Sequence, residues 1–359
     1  VTKAKEKEFR ATFEIKAKAL YDKLPIAFNM MQEILVRSKL DDEKRLKEII
    51  AMTASRLLML FQSSGHTTAA LRAMSYASPS AKLKDMTSGI EYYQNVARIE
   101  KAFDTEKDEL ITNLIKLTRM LFRADNMMIS YTAERVGLEG MKQQISAFAE
   151  GLYLQEKESG KHCELHCEKK NEGFKTASKV QYVARCGNFI DQGAEYTGAL
   201  QVLKVIMGYE YLWQNIRVKG GAYGCMSNFN RIGEGYFVSY RDPNLERTME
   251  IYEGVADYLR TFTVSDFDMN KYIIGTISNL DQPMTPALKG DRSMNLYMNH
   301  VTEDMIKEER AQVLEATQED IRELAGIVEA MMKAEQICVI GSEDKIEEAK
   351  DMFDTVTGF

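Results

Sequence analysis

The 359-residue chain is poor in histidine and cysteine, and it has neither a long apolar run nor a run of basic charge. Each shortage removes a class of function. No stretch approaches about 18 consecutive apolar residues, so nothing reads as a membrane-spanning helix. A net charge of -7 without any basic cluster argues against a nucleic-acid partner, because phosphate binding needs a cationic face. The five cysteines are odd in number, scattered and mostly flanked by apolar residues, which fits a reduced, cytoplasmic chain better than a disulfide framework. Residues 1–10 are highly charged and have no apolar centre, so they do not form a signal peptide. The chain opens on Val1 rather than methionine and is already in mid-pattern, which reads as a fragment.

Four histidines leave little room for zinc chemistry. His300-Val301-Thr302-Glu303-Asp304 falls one residue short of His-x-x-Glu-His, with Asp304 in place of the second histidine. His162, Cys163, His166 and Cys167 form i, i+4 pairs able to clasp a metal on a helix, but their spacing matches no established zinc pattern and they fall in a charged linker. No metal site is therefore expected in this chain. His66 stands in Ser63-Ser64-Gly65-His66-Thr67, a polar turn, and is expected at the surface. Neither a Gly-x-x-x-x-Gly-Lys-Ser/Thr phosphate loop nor a Gly-x-Ser-x-Gly elbow occurs. By itself the chain holds no means of activating water or forming a covalent intermediate.

What is present is an internal repeat. The apolar fraction of 45% and charged fraction of 28% are those of a globular protein, and the length suits two domains. Thr68-Ala69-Ala70-Leu71-Arg72 and Thr285-Pro286-Ala287-Leu288-Lys289 share a pattern, each followed by a Met/Tyr-containing helical stretch. Upstream, residues 13–20 alternate as a strand before a helix at 25–36, as residues 235–241 do before a helix at 245–262. Downstream, acidic helix starts at 104–106 and 317–320 lead to strands at 127–131 and 337–340 and to closing helices at 138–148 and 342–353. Two related α+β domains are expected, at 1–153 and 176–359, joined by a charged linker over 154–175. The second holds about 55 residues that the first lacks: a strand at 180–185, a long helix at 197–216 and a strand at 225–229. On that count the first domain is incomplete at its N-terminus, and the strand at 13–19 is orphaned from its partners.

The extra stretch carries Arg217-Val218-Lys219-Gly220-Gly221-Ala222-Tyr223-Gly224. The glycine pair lets the backbone turn sharply at a helix end and approach a ligand closely. Arg217 then offers a rigid fork of donors and Tyr223 one more, a set suited to a carbonyl oxygen gaining negative charge. The plainer reading also stands: a glycine C-cap, an arginine complementing the helix dipole, and a tyrosine packed at the sheet edge.

Residues 212–224 resemble the C-terminal half of the pitrilysin-type (inverzincin) zinc metallopeptidases, and are most similar to the presequence-protease branch, where an Arg-x-Lys-Gly-Gly-Ala-Tyr-Gly run is characteristic. The resemblance extends over nearly the whole chain through the duplicated domains. It implies four such α+β domains, each a mostly antiparallel sheet packed with helices, arranged as two halves around a chamber for unfolded peptides. Residues 1–153 are then the rest of a third domain and 176–359 a complete fourth. It also implies a zinc held by a His-x-x-Glu-His helix in the N-terminal half of the same protein, outside this chain. Arg217 and Tyr223 become substrate and transition-state contacts, and Gly220 and Gly221 shape the turn that presents them. A non-catalytic peptide-binding or scaffold subunit of the same superfamily is the alternative; reading the gene upstream for His-x-x-Glu-His separates the two.

Overall fold

The computed structural model of the chain describes residues 9–154 and 164–359. Five helices make up its first part. Helix α1 (Leu24–Arg37) opens with Pro25 in its first turn, where a missing N–H costs nothing. Helix α2 (Glu43–Met74) is capped by Asp42, whose side chain accepts from the Arg45 N–H at 3.0 Å. Ser78 caps α3 (Pro79–Ser88) in the same way, and α4 (Ile90–Leu121) and α5 (Leu138–Glu150) follow. Helix α2 bends at Ser64 (φ -131°, ψ 34°). Next to the bend lies Gly65, where a Cβ would stand 2.2 Å from the Tyr182 ring. The bend therefore lets α2 lie directly on the sheet.

The rest of the chain supplies that sheet and its second cover. In order come β1 (Glu172–Thr176), β2 (Tyr182–Asn188), α6 (Ala199–Tyr209), β3 (Gly224–Phe229), β4 (Glu234–Tyr240), α7 (Glu246–Glu253) and α8 (Val255–Arg260). Then follow α9 (Asp266–Leu280), α10 (Pro286–Met298), α11 (Glu303–Leu314), α12 (Gln318–Met332), β5 (Gln336–Ser342), α13 (Glu343–Glu348) and β6 (Thr355–Gly358). The strands lie in the order β3-β4-β2-β5-β1-β6. The β3–β4, β4–β2 and β2–β5 pairs are antiparallel, and β5–β1 and β1–β6 are parallel. Ala184 stands at the centre, opposite Val238 on one side and Cys338 on the other.

Both faces of the sheet are dry, which is why β2 and β5 read as nearly unbroken apolar runs. Val183, Phe237, Ile337 and Val339 pack under α6, α7, α8 and α12. The opposite face, with Phe174, Tyr182, Val238 and Ile340, packs under Leu57, Phe61 and Ala69 of α2 and Ile90 of α4. The helices of the first part thus complete the core of the second. Among the described residues no helix is long and apolar enough to cross a membrane.

The mixed helix-and-sheet class is as expected, and the repeat shows in the order of helices: α1, bent α2, α3, α4 and α5 run parallel in sequence to α7–α8, α9 and α10, α11, α12 and α13. Several local expectations are corrected. Residues 13–20 and 127–131 form no strand, and Phe13 and Leu20 are 65% and 73% exposed. Alternation proposes a strand, but only ladder partners and a covering layer hold one. The acidic triplet 104–106 lies in mid-α4 rather than at a helix start, because Val96 and Phe103 keep one helical face buried through it. Thr317, by contrast, caps α12 with a full capping box to Asp320. The helix expected at 197–216 ends at Tyr209, since Glu210 leaves helical geometry (φ -107°, ψ -103°) and its carboxylate accepts from the Tyr272 hydroxyl at 2.6 Å. The expected linker 154–175 runs into β1, where Phe174 is 1% exposed and stacks on Phe359.

Candidate functional site

After the break at Glu210 the chain winds into a π-helical segment, Trp213–Val218, closed by the Lys219 N–H on the Gln214 carbonyl at 3.0 Å. The wider turn brings Arg217 back over Trp213, its guanidinium carbon 4.4 Å from the ring centre. The turn is then reversed within four residues. The Gly221 N–H bonds to the Arg217 carbonyl at 2.9 Å, and that of Ala222 to the Ile216 carbonyl at 3.1 Å. Gly221 takes φ 82°, a left-handed conformation, while a Cβ on Gly220 would meet the Ile216 carbonyl oxygen at 2.4 Å. Both glycines are needed by the path of the chain.

The reversal delivers Tyr223 beside Arg217. Arg217 Nη1 donates to the Tyr223 main-chain carbonyl, and the guanidinium carbon lies 5.4 Å from the Tyr223 ring centre. Tyr223 is 64% exposed. Its hydroxyl and the remaining Arg217 donors have no hydrogen-bond partner among the described residues. The structure therefore brings all four expected residues into one turn and leaves the two polar side chains facing outward. The pair is two donors anchored to a fixed backbone, a geometry suited to polarising a carbonyl.

Sequence reasoning missed what holds the turn from behind. Asp242 is fully buried; it accepts from the Thr248 hydroxyl at 2.7 Å and the Asn244 N–H at 2.9 Å, and burial pushes its carboxyl above the ordinary value against those bonds. Asn244 Nδ2 in turn donates to the Gly220 carbonyl at 2.7 Å. The Asp-Pro-Asn run straight after β4 was the available signal. Cys225, two residues past Tyr223, carries no nucleophile: burial, helped by the charge of Asp242, pushes its thiol up to about 12.

Also missed were Tyr240, Arg241, Tyr182 and His66. Tyr240 meets Tyr223 edge to face at 5.6 Å, and its hydroxyl donates to the Ser63 carbonyl at the bend of α2. The Tyr182 hydroxyl donates to the neighbouring Gln62 carbonyl at 2.5 Å. Bending α2 frees the carbonyls that these tyrosines occupy. His66 is not the surface residue of a polar turn. It lies within α2, its ring 4.8 Å from that of Tyr240, with Nδ1 buried and without a hydrogen-bond partner.

No group of three or more His, Cys, Asp and Glu able to hold a metal is found among the described residues. His162 and Cys163 lie outside the described residues; burial raises the thiol of half-buried Cys167. His300 precedes α11 with φ 56°, so the His300 to Asp304 run does not share a helix face.

Comparison with known proteins joins this geometry to a family. Residues 171–343 match the family described as PreP C-terminal domain, and residues 1–99 match a family described as associated with peptidase M16, subfamily C. Protein HypA of Clostridium perfringens is 38% identical over 357 residues, covering 98% of this chain and 36% of that protein. Presequence protease 1, chloroplastic/mitochondrial, of Arabidopsis thaliana is 27% identical over 334 residues, 92% of this chain and 31% of its own length. The chain thus spans about a third of the length of these relatives. Among solved structures, the peptidase M16 inactive domain from Pseudomonas fluorescens superposes with a TM-score of 0.53 at 14% identity, covering 89% of this chain and 75% of that one, which shows a shared fold.

Proposed function

Since this chain belongs to the pitrilysin-type metallopeptidase family, in its presequence-protease branch, we propose that it is the C-terminal portion of a zinc oligopeptidase that degrades unfolded peptides. It forms half of the peptide chamber, with 1–153 as a third-domain-like unit and 176–359 as a fourth. Its partner is the N-terminal half of the same protein. The reading rests on one observation: Arg217 and Tyr223 converge from a helix end and a strand start, each with donors left over.

In this mechanism Arg217 and Tyr223 bind the peptide carbonyl next to the scissile bond and strengthen their hold as its oxygen becomes anionic. Gly220 and Gly221 fix their separation. Zinc, when bound, supplies the activated water; the described residues offer it no donor set, so its ligands belong to the partner half. The buried free thiols of Cys186, Cys225 and Cys338 support a reducing compartment such as the cytoplasm.

In the full-length enzyme, Arg217→Ala or Tyr223→Phe is expected to lower kcat/KM roughly 10²- to 10³-fold, about 3–4 kcal/mol, with zinc content unchanged. Wild-type kinetics in both variants contradict the assignment.

A further inference from the structure

The turn is one end of a longer row. Trp213, Arg217, Tyr223, Tyr240 and Arg241 follow one another, with successive separations of 4.4, 5.4, 5.6 and 5.5 Å between ring centres and guanidinium carbons. Aromatic faces thus hold a cation towards each end. Neither cation is neutralised, since among the described residues no ion pair includes Arg217 or Arg241. The adjoining carboxylate of Asp242 turns inward to Thr248 and Asn244. Other exposed arginines are paired, Arg310 bidentately with Asp281 and Arg260 with Asp257.

Arg241 is also one of three non-glycine residues among those described with positive φ, at 50°. A left-handed arginine is unfavourable and is retained only where its surroundings fix it. Here its carbonyl accepts from the Tyr223 N–H at 3.3 Å, and its guanidinium lies over Tyr240 and reaches the Tyr182 hydroxyl. The side chain is preorganised along the same exposed surface as Tyr223. A stacked, unpaired guanidinium presents its fork to a carboxylate better than to any neutral group.

Resting on the reading of Arg217 and Tyr223 as substrate contacts, we propose that Arg241 forms a second, anion-selecting subsite on this surface. It takes a carboxylate of the unfolded peptide, either an Asp or Glu side chain or a free C-terminus. Three steps of about 5.5 Å place it up to about five residues of extended chain from the carbonyl held by Arg217 and Tyr223. The local charge is therefore opposite to the net -7 of the chain, and it selects acidic rather than basic peptides at this point.

The test measures kcat/KM of the full-length enzyme on unstructured peptides in which one Glu or Gln is walked along the sequence, each peptide made with a free or an amidated C-terminus. Glu is expected to exceed Gln about ten-fold at one or two adjacent positions. That preference disappears in Arg241→Asn, whose new residue tolerates the left-handed backbone, and largely survives in Arg241→Lys, while cleavage of the Gln peptides stays at the wild-type rate in both. A preference for the free over the amidated terminus, without a Glu preference, identifies the terminus as the source of the carboxylate. Equal rates on all peptides in the wild type overturn the subsite, as does an equal slowing of all peptides by Arg241→Asn, which makes the row a packing feature. Arg217→Ala is run alongside: if it is slow while the Glu preference is absent, the subsite alone fails, and if it is as fast as wild type, the reading of the Arg217–Tyr223 pair fails.

Discussion

Arg217 spends one donor on the Tyr223 carbonyl and stacks between two rings, so the side chain is already ordered before any ligand arrives. Ordering in advance is what makes a donor effective, because the entropy of fixing it is not charged to the binding step. His66 stands behind this arrangement with a testable consequence for pH. The groups facing it are the rings of Tyr182 and Tyr240, and burial lowers its pKa below the ordinary 6.5. The folded state thus prefers the neutral ring, and the unfolded chain takes up this proton first as the pH falls. Stability present above about pH 6.5 is therefore lost on acidification until the lowered folded value is passed. Urea midpoints measured across that range are expected to show the loss in the wild type and a flatter profile in His66→Phe; an unchanged slope in the variant assigns it to other groups.

At the scale of elements, the site is a π-helical segment, a glycine reversal and a strand start, fixed from behind by Asp242 and Asn244. Gly220→Ala forces a Cβ against the Ile216 carbonyl at 2.4 Å, and is expected to cost about 1–3 kcal/mol and to raise KM by displacing Arg217 relative to Tyr223. Denaturant unfolding and steady-state kinetics read the two effects, and wild-type values in both remove the turn from the account. The glycine pair and its two flanking polar residues were legible in sequence because turn chemistry is local. The π segment was not, since residues 197–216 carry an unbroken helical periodicity and the break depends on Glu210 meeting Tyr272, 62 residues away. Tyr240, Arg241 and His66 escaped for the same reason: only the bend in α2 brings that helix onto β4.

For the whole molecule, the sheet ties the two parts of the chain together. Arg72 of α2 forms a bidentate pair with Glu172 of β1 (2.6 and 3.0 Å) and a third bond to Asp85 at 2.5 Å, all three side chains being buried. Burial disfavours the guanidinium charge, but the bonds to Glu172 and Asp85 outweigh it and raise the pKa. Arg72→Met leaves two carboxylates buried without their cation, and is expected to cost about 3–5 kcal/mol. Because α2 covers the sheet, the loss is expected in one cooperative transition seen alike by circular dichroism and by Trp213 fluorescence; two separate transitions contradict a shared core. The repeat and the helix order were readable from period and caps. The shared core was not, because Phe61, Ala69 and Tyr182 are apolar for a partner distant in sequence, and composition does not name the partner.

The central claim is that Tyr223 and Arg217 touch the peptide beside the bond that is cut. Benzoylphenylalanine in place of Tyr223, in the full-length enzyme stripped of zinc so that peptide stays intact, tests it by photocrosslinking and mass spectrometry of the adduct. The account predicts attachment within one or two residues of the cleavage position. Failure of the peptide to attach, or attachment far from that position, contradicts it.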